Sequence, residues 1–273
     1  MSKFVLFNRT RITSCLISIV LLYLSSAGLS TLAQAPAASA SSQAAAGTPS
    51  DVVRAFYKAL RERHFREAFE MSVFKPAIEG LSASEFEELQ PDFEKIAAGV
   101  PENIELSGEQ ISGDTATVFI KGVGDEAGQL EPVTLLREGG AWIVGDKESE
   151  AAVRRDGKQF FLKTRIETHH KEVQAMLLRI ANAELAYSVQ HGGLYADLPA
   201  LVEAKLVPQD LETTESTGYR FHITVGKDGK SYMAGAEPAR YNHTGRLSFY
   251  MDQTGLRSKD NGGKPLSASS AKK

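Results

Sequence analysis

Six histidines, His64, His169, His170, His191, His222 and His243, are the side chains best suited to proton transfer or metal ligation near neutral pH. None belongs to an H-E-x-x-H pair, and adjacent His169 and His170 point to different faces of a helix. Cys15 is the only cysteine, so a structural zinc site would need histidine and carboxylate ligands alone. Solvated or packed imidazoles are the simpler reading, and neither a metal nor another cofactor is expected. Gly122 and Gly124 have the spacing of a phosphate loop, but Asp125 and Glu126 would repel phosphate and no helix follows. Asn242-His243-Thr244 fits a glycosylation acceptor. Acidic Glu85, Glu87 and Glu88 read as a solvated helix face. No catalytic constellation emerges from the residue types.

The segments that carry these residues begin with an address. Residues 1–35 hold three bases, Lys3, Arg9 and Arg11, and no acid. An apolar run from Leu16 to Leu24 follows, and then small residues, which is the pattern of a secretory leader. Cleavage falls after Ala33 or after Ala35. The alternative is an uncleaved anchor, because Cys15 to Ala35 carries no charge. Export is therefore expected, to the periplasm or beyond, with the membrane touched only through an uncleaved N-terminal segment. Loss of the leader would leave no cysteine and no disulfide. The formal net charge of −3 removes the basic footprint of a nucleic-acid binder.

Residues 36–47, almost entirely Ala, Ser, Gln, Pro and Gly, read as a linker. Thr48-Pro49-Ser50-Asp51 predicts a capped helix carrying Val52, Val53, Phe56, Tyr57 and Leu60. Ser82 and Glu85 predict a second, with Phe86, Leu89, Phe93 and Ile96 along one side. After Gly99 the period shortens to two: Ala116, Val118 and Ile120 mark a strand, Leu130 to Arg137 another, and Ala141 to Val144 a third after the Gly139-Gly140 turn. Residues 48–155 thus predict an α+β domain. A long helix is expected from Lys163 to Gln190, with Val173, Leu177, Ile180 and Tyr187 facing a sheet. Three strands, Tyr219 to Val225, Ser231 to Ala236 and one through Leu247, Phe249 and Met251, complete a predicted three-stranded antiparallel meander over residues 163–265. Residues 266–273 read as a disordered tail. Residues 51–160 carry a net −9 and residues 161–273 a net +3, which supports two domains.

Val52 to Leu60, Phe65-Arg66-Glu67-Ala68 and Leu135 to Val144 give residues 48–150 an order that resembles the nuclear-transport-factor-2-like superfamily. That resemblance implies a cone of helices and curled sheet. Related enzymes place an acid or tyrosine in its pocket, which nominates Tyr57 and Trp142 as lining residues beside their plainer reading as core aromatics. Ala183-Glu184-Leu185-Ala186-Tyr187, Gly193 to Leu201 and Phe249 to Arg257 resemble the globular head of type II secretion pseudopilins and type IV pilins. The processing site and the apolar helix of those proteins are missing. Arg165, Glu167, Lys171, Glu172 and Arg179 would have to be buried if this helix formed a filament core. Some pseudopilin heads bind calcium, for which Asp252, Asp260 and Asn261 could offer oxygens, but their spacing does not fit an EF-hand loop and turn formation is the first reading of Asp-Asn-Gly. The resemblances imply an exported, non-enzymatic envelope protein that associates with other envelope proteins as an accessory of a secretion or pilus-like system. The rival is a periplasmic ligand-binding protein or enzyme with its pocket in the first domain.

Overall fold

A computed structural model describes residues 47–121, 130–214 and 217–268. The expected leader, all but the last residue of the expected linker, Gly122 to Glu126 and residues 269–273 lie outside the described residues. The chain is mixed α+β with two four-stranded antiparallel sheets, and it divides into two compact units, Met1–Phe161 and Leu162–Lys273.

In the first unit, helix α1 (Pro49–Arg61) starts at Thr48, whose hydroxyl accepts from the Asp51 amide while the Asp51 carboxylate accepts from the Thr48 amide. This reciprocal cap satisfies two orphan donors of the first turn. Short helices α2 (Phe65–Glu70) and α3 (Lys75–Glu79) lead to α4 (Ala83–Ala98), which opens on the same device at Ser82 and Glu85. Strands β1 (Leu106–Ser112), β2 (Thr115–Lys121), β3 (Leu130–Glu138) and β4 (Ala141–Val144) pair in chain order. Strand β1 has no counterpart in the sequence reading. Its Ser107, Gly108, Glu109 and Gln110 are exposed, and Gly108 breaks the register, so no apolar alternation marks it. Seven phenylalanines (Phe65, Phe69, Phe74, Phe86, Phe93, Phe160 and Phe161) touch ring to ring in the core at centroid distances from 5.0 to 6.2 Å. Helix α5 (Lys147–Asp156), capped by Asp146, follows the sheet.

Helix α6 (Phe160–Gln190) begins three residues before the predicted Lys163 and ends as the pattern requires. Leu162 onward belongs to the second unit. Gly192 and Gly193 (φ +65° and +89°) turn the chain into α7 (Leu198–Glu203), and Asp197 caps that helix through the Ala200 amide. Strands β5 (Tyr219–Val225), β6 (Tyr232–Pro238), β7 (Leu247–Asp252) and β8 (Gly255–Asp260) form the second sheet. The expected meander of three strands is therefore one of four. Strand β8 escaped notice because Arg257, Lys259 and Asp260 make it a charged edge, and such edges discourage pairing with other chains. Leu266, assigned to the disordered tail, is instead buried. The core of this unit joins Val173, Leu177 and Ile180 of α6 to Tyr219, Phe221, Ala234, Ala236 and Phe249 of the sheet.

Candidate functional site

The apolar stripe of α6 contains one acid. Glu184 lies seven residues after Leu177 and four after Ile180, so the helix carries it to the same buried side, and its side chain is 0% exposed. Its Oε2 accepts the Ala196 amide at 3.0 Å, while Oε1 is buried with no hydrogen-bond partner. Burial pushes the carboxyl up to about 7 from an ordinary 4.5. The Ala196 amide opposes that rise and the neighbouring Asp197 carboxylate adds to it. Tyr232 lies within electrostatic reach of it and packs on Tyr195 with ring centroids 4.9 Å apart. The Tyr232 hydroxyl is itself pushed up by burial first, then by Glu184, Tyr195 and Asp252. The segment bearing Ala196 is also held at the β5–β6 turn, where the Tyr195 amide donates to the Gly229 carbonyl at 2.8 Å.

A second polar pair lies across β5 and β6. His222 Nδ1 is 3.3 Å from Glu237 Oε2, which is buried and accepts no hydrogen bond. Neighbouring Ser248 is fully buried with its hydroxyl also unpartnered. His169 and His170, expected on different faces, both hold the segment before β7. His169 Nδ1 donates to the Thr244 carbonyl at 2.7 Å, and His170 Nε2 accepts from the Arg246 and Leu247 amides. Two donors on Nε2 require a neutral ring there, and burial lowers the His170 pKa in the same sense.

The other residues singled out from sequence occupy separate places. Tyr57 is buried on α1, edge-on to Phe56, and burial pushes its hydroxyl up to about 12, with Glu131 of β3 adding to the shift. Trp142 is half-buried on β4 with the Arg137 guanidinium over its ring at 5.5 Å. Val173, Leu177 and Ile180 are fully buried, while Tyr187 is half-buried and stacked on His191 at 3.7 Å. Asp252 accepts from Thr254 and Tyr250, whereas Asp260 accepts from Tyr241, Gly262 and Arg246. Asp252 pairs with Gly255 and Asp260 with Leu247, at opposite ends of the β7–β8 hairpin. Five strand steps place their backbones roughly 17 Å apart, too far to share one calcium ion. The exposed side of α6 shows Leu178, Leu185 and Val189, at 56, 63 and 78% exposure.

No family model, no curated protein and no solved structure matches this chain. What it can do follows from its own groups. Among the described residues, no three His, Cys, Asp or Glu side chains gather to hold a metal ion, and no helix is long and apolar enough to cross a membrane. The Glu184 carboxyl exchanges a proton near neutrality and grips a backbone amide of the next segment. Sequence reasoning passed over it because an acid on a helix is usually solvated. The available signal was its spacing of four and seven from Ile180 and Leu177.

Proposed function

We propose that this chain is an exported, non-enzymatic cell-envelope protein that acts through protein association, as an accessory of a type II secretion or type IV pilus-like system. The observation that carries the reading is the second apolar side of α6. Leu178, Leu185 and Val189 recur at seven and four residues and stand in solvent, opposite the side that packs on the sheet. An apolar row of that spacing suits a partner helix or a groove. The leader-like N-terminus supplies the address, and the pilin-like wording of residues 165–265 supplies the kind of assembly. On this reading the second unit is a pilin-head-like module and the first a nuclear-transport-factor-2-like cone. The test is cross-linking in intact envelopes of the native host, comparing the parent with a Leu178→Lys, Leu185→Lys variant. The expected result is one or more secretion or pilus components captured by the parent and lost from the variant at unchanged melting temperature. Equal capture by both would remove the stripe from the argument.

A second reading rests on a different observation. Glu131 acts on the buried Tyr57 hydroxyl across α1 and β3, which gives the first unit a polar pair on its helix-facing side. That pair marks where the polar lining of a small-ligand pocket in this unit would have to lie. Native mass spectrometry of host-purified protein separates the readings: a small molecule carried by the parent and absent from Tyr57→Phe would favour the pocket.

A further inference from the structure

Glu184 is the one described link in which a buried side chain of α6 grips the segment that follows it. Oε2 takes the Ala196 amide, and the other described backbone ties on this stretch beyond its first turn are Tyr195 to Gly229 and, at its far end, the Leu201 amide to the Asp197 carbonyl. Upstream, Gly192 and Gly193 both have positive φ, and the Gly193 and Leu194 amides tie this turn to the Ser188 and His191 carbonyls, so the turn stays with the end of α6 and the chain pivots on its far side. Downstream, Asp197 starts α7, whose Leu198 and Leu201 are buried in the second core. The segment 192–197 is therefore a short flap with a glycine turn at one end, an anchored helix at the other and one carboxyl beneath it.

We propose that Glu184 is a proton-operated latch: protonated, it holds the 192–197 flap on the end of α6, and on ionisation it releases the flap and uncovers Tyr195 and the adjoining edge of the core. The groups around the carboxyl give the direction. From the flap it meets the Ala196 amide and, one residue on, the Asp197 carboxylate. From β6 it meets Tyr232, on which Asp252 also acts. Among the described residues, no lysine or arginine is among the groups that shift it. An ionised Glu184 thus has one hydrogen bond, one unpartnered oxygen and a like charge on the segment it grips, and all but the first favour opening. Opening wets the carboxylate and separates it from Asp197. Ordinary carboxyl behaviour in the open state, against about 7 in the closed one, makes release a transition of the neutral range. The latch is independent of what the exposed side of α6 binds.

The experiment is amide hydrogen exchange by NMR on the full chain from pH 5.5 to 8.5, read at Ala196 and Tyr195 and corrected for the intrinsic rise of exchange with pH. The latch predicts that protection at both amides falls roughly 30-fold across this range, with a bend near 7, and that Glu184→Gln flattens the profile. Protection that stays constant in the parent, or a slope that survives in Glu184→Gln, overturns it. If Glu184→Gln does not fold, the parent's own Glu184 carboxyl carbon decides. A titration midpoint near 7 that coincides with the bend in exchange supports the latch, and a midpoint below 5.5 overturns it.

Discussion

The two units use the same materials, helices laid on a four-stranded antiparallel sheet, yet treat polar atoms in opposite ways. Among the described residues of the first unit, Ser72 is the only buried polar side chain apart from the aromatic Tyr57. Ser72 is fully engaged, donating to the Phe69 carbonyl and accepting from the Phe74 amide. Among the described residues, the four buried side-chain atoms without a hydrogen-bond partner, on Thr168, Glu184, Glu237 and Ser248, belong to the second unit. The phenylalanine-rich core of the first unit encloses a Tyr57 hydroxyl pushed up to about 12, which stays neutral across the neutral range, whereas a core that encloses a carboxyl near 7 must respond to pH there. Fold class says nothing of this difference, which depends on single residues placed on otherwise apolar faces.

The largest expected effects test whether each core is as closed as its ring and side-chain contacts imply. Phe93 touches Phe65, Phe69, Phe86 and Phe161, so Phe93→Ala should cost ~3–5 kcal/mol. The tryptophan reports on this unit alone, since Trp142 is the only one in the chain. Urea unfolding followed by its fluorescence should therefore show the loss, and equally at pH 5.5 and 8. In the second unit Ile180→Ala should cost ~2–5 kcal/mol, seen by exchange of the β5 and β6 amides. An unchanged protection pattern would mean that α6 is not the lid of that core.

Next in size is the pH response itself. A carboxyl at about 7 in the folded state and 4.5 when unfolded binds extra proton in the fold between those values. The Glu184 contribution to the second unit's stability is then greatest on the acid side and falls as pH rises from about 4.5 to 7, by at most ~3 kcal/mol. His170, lowered by burial, gives an opposing rise as pH approaches 6.5. Glu184→Gln should remove the fall. Glu85 in the first unit runs the other way. Hydrogen bonds from Ser82, then Lys158, hold its exposed carboxyl down to about 2, so its contribution is present above 4.5 and fades as pH falls towards 2. Asp252 and Asp260, also lowered, give the second unit an acid limb of the same sign. Only the slope between 4.5 and 7 distinguishes the units, and its presence in the tryptophan signal would break the comparison.

How much of this was legible depended on how local the cause was. The caps at Thr48–Asp51 and Ser82–Glu85 span three residues each and could be read directly, and so could the Gly139-Gly140 turn. Ser82→Ala should cost ~1 kcal/mol in the same tryptophan assay. Strands β1 and β8 were hidden because an edge strand needs no apolar alternation, only a neighbour to pair with. Tyr57 and Trp142 could be nominated through the family resemblance, but not Glu131, whose relation to Tyr57 exists only once the chain is folded. Glu184 fell between these cases: its position on the stripe was visible, its burial was not.

The smallest stability effect bears most on function. Leu178, Leu185 and Val189 give α6 a second apolar side, so the helix is apolar towards both core and solvent, which is why one stripe in the sequence concealed the other. Lysine in place of Leu185 removes little packing, because that side chain is already 63% exposed, and leucine and lysine have nearly equal helix propensity. The melting temperature should therefore hold, with a change within ~0.5 kcal/mol. Association should not hold: a charge in the middle of an apolar contact must be desolvated without a partner, at a cost of several kcal/mol. Leu185→Lys compared with the parent in envelope cross-linking, beside a control charge at exposed Gln190, isolates that term. Loss of the adduct in the first and retention in the second locates the contact on this row. If both variants keep the adduct, or Leu185→Lys lowers the melting temperature by several degrees, the row belongs to the fold and not to a partner.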